Sequence, residues 1–215
     1  MDGPQSDATW TDLNLNRHTA GASTPEGTRT GETWSDSSQL TSLTVGGTTY
    51  AGQYGATDQS EHIKLGPTTF HNGPLDLSAQ TTGGVDMGFN RDPGGTPNSM
   101  TTGGKAYFYL TDVIGSVIGL ADETGAKVNS YAYSPCGVTR NTTTEQVPQP
   151  YRFADGHQDP TDLYHYGARN YDPNIGRFNS PDPSGQEKTL TCTPKATPST
   201  ASTRQGCSAS PMFWM

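Results

Sequence analysis

Apolar residues are scarce in this chain. Only 30% of its 215 residues are Ala, Val, Ile, Leu, Met, Phe, Trp, Tyr or Cys, and the mean hydropathy is -0.71. With so little surface to withdraw from water, no self-sufficient core is expected from these residues alone. Long hydrophobic runs are also missing: no stretch approaches the roughly 20 residues that cross a bilayer, so no membrane span is expected. The N-terminal MDGPQSDATWTDLN has neither a basic nor an apolar region, so no Sec-type signal is expected, and the compartment stays open. Positive charge is thin, with 13 Lys and Arg against 21 Asp and Glu and a net charge of -8. Scattered cations on an acidic chain argue against a nucleic-acid partner, which needs clustered Lys and Arg. Cys136, Cys192 and Cys207 are odd in number, with no CxxC pair and no His at zinc-finger distance, and read as incidental thiols. G-x-S-x-G, P-loop and H-E-x-x-H motifs are absent. No metal and no cofactor is expected.

What is abundant is turn chemistry, with 26 Gly and 16 Pro. Residues 1 to 38 are Thr, Ser, Gly, Asp and Glu around isolated Trp10 and Trp34, and are expected to be poorly ordered. From Leu40 short alternating segments begin, and Gly46-Gly47 in LTSLTVGGTTY is a turn dipeptide that can join two strands. Similar runs continue through IKLGPTTFHNGPLDL and VDMGFNRDPGGT. Between 105 and 140 the β-formers Tyr107, Tyr109, Val117, Leu120, Val128, Tyr131 and Tyr133 are punctuated by Asp112/Gly115, Asp122/Gly125 and then Ser134-Pro135-Cys136-Gly137. An Asp that opens a turn can accept backbone amides ahead of it, and Gly at its close takes a left-handed conformation cheaply. The fold class expected is mainly β, a string of hairpins; GLADETGAKV reads as a strand pair because Gly119 and Gly125 interrupt any helix.

Three stretches carry a resemblance: YAYSPCG (131 to 137), PYRF (150 to 153) and YHYGARNYDPNIGRFNSPDPSG (164 to 185). Together they resemble the Rhs/YD-repeat family at its repeat-associated core, found in bacterial polymorphic toxins and insecticidal toxin-complex C subunits. The near copy of R-Y-Y-D-P-x-x-G-R-F at Arg169 to Phe178 is the most specific part, and the match runs from 107 to 185 with degenerate repeats over 39 to 106. The motif residues are Tyr131, Tyr133, Pro135, Gly137, Tyr151, Arg152, Phe153, Arg169, Tyr171, Asp172, Pro173, Gly176, Arg177, Phe178, Pro183 and Gly185. Read on their own chemistry they are hairpin glue: Asp172-Pro173 opens a turn, Gly176 closes it, and Tyr171 and Phe178 sit as cross-strand aromatics. Arg169 and Arg177 can stack on these rings or pair with Asp172. The resemblance implies a β-ribbon spiralling into a hollow shell around a C-terminal toxin, with the core segment, 107 to 187, curling inward as a plug. This chain would be a fragment of such a shell, and its partners the remaining shell repeats and an enclosed toxin. Intact relatives are exported or extracellular.

The resemblance also implies an aspartyl autoprotease built on two D-P-x-G motifs about 18 residues apart, one carboxylate ionised and the other protonated. Asp182-Pro183-Ser184-Gly185 supplies the first, and no second D-P-x-G follows, so Asp182 is expected to be half of an incomplete dyad. Asp159 or Asp162 with Asp172 or Asp182 is an alternative pairing. His157 and His165 admit a metal or general-base reading, although the better one is a ring packed in a strand. After Glu187 the text turns to Thr, Pro and Ser, and residues 188 to 215 are expected to be a disordered tail. Thr189 to Ser208 admits codons which, read one base earlier from the end of an AAA codon for Lys188, spell NPYLYAEGDPVNRIDPTGLL. That is the family's continuation, second D-P-x-G included, so a one-base frameshift near Lys188 is expected. The function expected is a shell and plug fragment without catalysis of its own; a self-cleaving peptidase core and a carbohydrate- or surface-binding module are the alternatives.

Overall fold

The computed structural model describes residues 23–24, 27–55, 61–74 and 76–180. Thirteen strands form one antiparallel sheet in which every strand pairs with its neighbours in sequence. They are β1 (Ser23–Thr24), β2 (Gly27–Trp34), β3 (Leu40–Val45), β4 (Thr48–Tyr54), β5 (His62–Leu65), β6 (Thr68–Gly73), β7 (Asp76–Thr82), β8 (Val85–Arg91), β9 (Pro97–Thr102), β10 (Lys105–Thr111), β11 (Val117–Asp122), β12 (Lys127–Ser130) and β13 (Thr144–Glu145). A second, four-stranded sheet holds β14 (His157–Gln158), β15 (Tyr164–Tyr166), β16 (Arg169–Asp172) and β17 (Arg177–Phe178).

Two kinds of turn build the ribbon. Gly46-Gly47, Gly83-Gly84 and Gly103-Gly104 close tight hairpins with both residues at positive φ, a geometry only glycine adopts freely at two successive positions. The other kind opens on Asp. Asp112 Oδ1 accepts the amides of Ile114 and Ser116 at 3.0 and 2.8 Å, and Asp122 Oδ1 those of Thr124 and Ala126 at 2.9 and 3.0 Å. Asp92 accepts Gly94 and Thr96 in the same way. Gly115 and Gly125 close these loops at φ 84° and 83°. Ser134 takes the Asp role in the third turn, its hydroxyl accepting the Val138 amide at 3.0 Å.

Alternation along the strands makes one face apolar. Tyr107 and Tyr109 of β10 point into the core while Phe108 and Leu110, which alternate with them, are 45% and 41% exposed. Val117 and Leu120 of β11 are fully buried, and with Phe70, Phe89 and Met100 they form the main core. Burial of each such side chain contributes about 1.5–3 kcal/mol, but only if something covers that face. The chain covers it itself. After β12, residues 131–180 turn back as a return segment whose Tyr131 and Tyr151 complete the same core. The Val117 amide donates to Arg152 O at 2.9 Å and the Asp155 amide to Gly115 O at 3.1 Å. Further along, Leu163 is sealed among Leu40, Leu43 and Val45.

Several expectations need correction. Residues 27–34, assigned on composition to a poorly ordered segment, form β2, because Arg29 finds a buried partner that local composition cannot show. The boundary drawn at 106/107 falls inside β10, which pairs with β9 from Lys105 to Phe108 without a break in register. Tyr131 lies outside the named strands and Tyr133 makes only an isolated bridge with Thr139. Residues 1–22 and 25–26 of the expected N-terminal segment, and everything from 181 onward, lie outside the described residues.

Candidate functional site

The SPCG turn, Phe153 and the ARNYDPNIGRF hairpin converge on one place with Tyr133 beside them, while Tyr131 and Tyr151 belong to the main core of the ribbon. Gly137 closes the SPCG turn at φ 92°, and a Cβ there would lie 2.7 Å from the Phe153 ring, so YAYSPCG and PYRF are fitted to each other by the missing side chain. The carbonyls of that turn are then taken by tyrosines from the small sheet: Tyr164 OH donates to Gly137 O at 2.8 Å and Tyr171 OH to Cys136 O at 3.0 Å. Phe153, Tyr164 and Tyr171 form a buried cluster flanked by Tyr133, Tyr166 and Phe178. Burial raises the hydroxyls of Tyr133 and Tyr164 well above the ordinary tyrosine range, so both remain donors at any physiological pH.

The ARNYDPNIGRF hairpin carries the expected cross-strand pair, Tyr171 opposite Phe178 with ring centroids 5.4 Å apart and edge to face. Asp172 Oδ1 accepts the Asn174 amide at 2.9 Å, and the Gly176 amide returns to Asp172 O. Of the two arginines proposed to stack, Arg169 does so, its guanidinium 3.7 Å from the Phe178 ring centroid. Arg177 is exposed at the rim. Asp172 is paired with Arg29 of β2, at 2.5 Å, with both side chains fully buried. Pro135 and Pro173 lie in the turns that open these loops. Asp182, Pro183 and Gly185 lie outside the described residues.

Sequence reasoning missed the polar ties between ribbon and return segment. Arg91 of β8 binds Asp155 at 2.5 Å and Asp76 at 3.1 Å, and lies over the Tyr151 ring at 4.8 Å. Burial pushes the Asp155 carboxyl up to about 6 while Arg91 pulls it down. Arg152 stacks on Tyr131 at 4.3 Å and binds Glu145. His157 Nε2 lies 2.7 Å from Gln80 Oε1, and the His62 ring lies 4.9 Å from that of His165. No pattern near Arg29, Arg91, Gln80 or His62 marks them, since the return-segment partner of each is 64 to 143 residues away.

Among the described residues, Asp159, Asp162 and Asp172, the carboxyls of the alternative catalytic pairing, are each engaged in structure. Asp159 is bonded to the Thr161 amide and hydroxyl, and burial pushes it up to about 6. Asp162, in a left-handed turn at φ 63°, accepts from Gln158 and Asn174. Asp172 is held by Arg29. Among the described residues no group of three His, Cys, Asp or Glu is placed to hold a metal, and no helix is long and apolar enough to cross a membrane.

Comparison with known proteins agrees with this architecture. The chain is 38% identical over 89 residues to the tRNA3(Ser)-specific nuclease WapA of Bacillus spizizenii, a match covering 40% of this chain and 4% of that protein. It is 33% identical over 86 residues to the double-stranded DNA deaminase toxin A of Burkholderia cenocepacia, covering 38% and 6% respectively. The chain therefore spans a few per cent of the length of these relatives. Among solved structures, the crystal structure of TcdB2-TccC3-TEV superposes with a TM-score of 0.56 at 17% identity, over 74% of this chain and 9% of that one. At that identity the likeness is one of fold. The Teneurin YD-shell family model matches residues 87–204, more than half of the sequence and including every converging motif, and the chain belongs to that family of Rhs/YD-repeat shell proteins.

Proposed function

We propose that this chain supplies a section of wall and the inward-turning segment of a toxin-enclosing YD shell, and that it performs no peptide cleavage itself. The observation that carries the reading is the return segment. A ribbon with a sequential strand order has one apolar face to cover, and residues 131–180 cover it from β11 back to β2. The rest of such a shell would be further repeats of the same kind, pairing through the strand edges. Enclosure is tested by grafting residues 23–180 in place of the matching segment of a full-length relative. The expected result is a closed shell by electron microscopy with its cargo resistant to added protease; an open shell or a digested cargo counts against the proposal.

The absence of cleavage rests on the carboxyls. Asp159, Asp162 and Asp172 each hold a turn or an ion pair, which leaves Asp182 without a second Asp among residues 183–215. We place that second Asp in the neighbouring reading frame after Lys188, although the family match itself extends to residue 204. Sequencing the locus decides this, since a frame without NPYLYAEGDPVNRIDPTGLL sinks the frameshift. Purified full-length chain is expected to keep its intact mass. Two fragments meeting near residue 186, lost in Asp182→Asn, would instead establish the self-cleaving peptidase. The glycan-binding reading draws no support from Tyr131, Tyr151, Phe153 or Tyr171, which are 2–8% exposed and face the interior.

A further inference from the structure

The seam between the ribbon and the small sheet contains three imidazoles, contributed from both sides. His62 of β5 is 7% exposed, stacked on Tyr54 of β4 at 4.8 Å, against Phe70 of β6 at 4.7 Å and against His165 of β15 at 4.9 Å. His157 of β14 is 9% exposed; its ring meets Phe70 and Tyr151 edge-on, and its Nε2 meets Gln80 of β7. His157 and His165 are direct cross-strand partners. Such a cluster packs well while its rings are neutral, and becomes a set of like charges in an apolar seam once they are protonated.

We propose that residues 157–180 form an acid-sensitive strap, held on the ribbon by neutral His62 and His157 and released from it when these rings take up protons.

The titratable and charged groups around the cluster set the sign. Burial, then His165 and His157, depresses His62 to about 2, and burial, then His165, depresses His157 to about 3, with Arg91 of β8 adding repulsion. Both folded values lie below the unfolded 6.5, so the released strap binds protons first and docking weakens as pH falls below about 6.5. Tyr54, from β4, stays neutral throughout, because burial raises it to about 12. Gln80 and Asn170 carry no charge. Asp159 of the strap works in the opposite direction: raised to about 6, it protonates first in the docked form and strengthens docking as pH falls toward 3.8. Asp155, bound to Arg91 just upstream of the strap, shifts the same way as Asp159. Two histidines against these carboxyls leave a net loosening on the order of 10- to 100-fold between about pH 7 and pH 4.5. The proposal stands apart from the toxin-enclosing reading, since it concerns only how this chain holds its own strap.

Amide hydrogen exchange on the full chain tests it, with rates corrected for the intrinsic pH effect and peptides from 157–180 compared with peptides from β7 to β9. Strap opening should rise on the order of 10- to 100-fold relative to the ribbon between about pH 7 and pH 4.5. The doubly substituted His62→Gln, His157→Gln chain should lose that opening and, with Asp159 and Asp155 left to titrate, gain strap protection as pH falls. Asp159→Asn, which keeps an acceptor for Thr161 but removes the opposing titration, should steepen it roughly tenfold. Strap protection that is independent of pH overturns the proposal, as does an unchanged response in the double variant or opening in step with the ribbon. Should the double variant fail to fold, an unchanged or shallower response in Asp159→Asn overturns it alone.

Discussion

The ribbon and the return segment are both antiparallel β-structure, yet they are held by different physics. From β3 to β12 each strand pairs with the strand before and after it, and most of the connecting turns are set by an Asp or two glycines within a few residues. Such contacts are local, so their loop-closure cost is small and each hairpin is specified by its own sequence. The return segment is placed by contacts over long separations: Arg29 to Asp172, Arg91 to Asp155, Gln80 to His157, Leu163 to Leu40 and Leu43. Most of these are polar and buried, a kind of contact that costs desolvation as well as returning attraction, and that suits fixing one position more than adding stability. Arg29 illustrates this: its Nε and Nη1 find no partner among the described residues, although the side chain is wholly buried.

The contrast can be broken most severely at Arg29. Arg29→Ala would leave Asp172 buried without its cation, and chemical denaturation should show a loss of about 3–5 kcal/mol. Replacing both residues with apolar ones of similar size should recover most of it, which would show that the pair selects a position for β16 more than it stabilises it. Next comes Gly137→Ala, which imposes positive φ on alanine and drives its methyl into Phe153; thermal or urea unfolding should show a loss of about 2 kcal/mol or more. Within the ribbon the effects should be smaller and local. Asp112→Ala removes the acceptor for two turn amides and should cost about 1 kcal/mol, with faster amide exchange confined to the β10–β11 loop. On the uncovered face, Ile118→Thr should change stability by less than about 0.5 kcal/mol, because that side chain is 42% exposed. A large loss there would mean that both faces of the ribbon are covered.

Much of the ribbon is legible in the sequence alone. Gly46-Gly47, Asp112/Gly115, Asp122/Gly125 and the SPCG turn all close hairpins as their residue types require. The Tyr171 and Phe178 pairing was equally legible, since a turn from Asp172 to Gly176 leaves those two positions opposite each other. Arg29 was not, because a single Arg among Thr and Gly looks like solvated coil until a carboxylate 143 residues away is folded onto it. Nor was His62, whose neighbours in sequence, Glu61 and Ile63, carry no sign of the imidazole from β15 that lies against it.

Taken alone, the amino-acid sequence determined the hairpins, the turn types and the family, since these follow from residue types a few positions apart: alternation, Asp-capped loops, glycine at positive φ, and the Tyr/Arg motif. Tertiary structure decided which face of the ribbon is covered, that residues 27–34 belong to it, and which cation and which imidazoles meet the strap. Those outcomes depend on how a multi-stranded sheet bends and where a returning chain crosses it. They accumulate over the whole ribbon and leave no local mark on the residues that end up in contact.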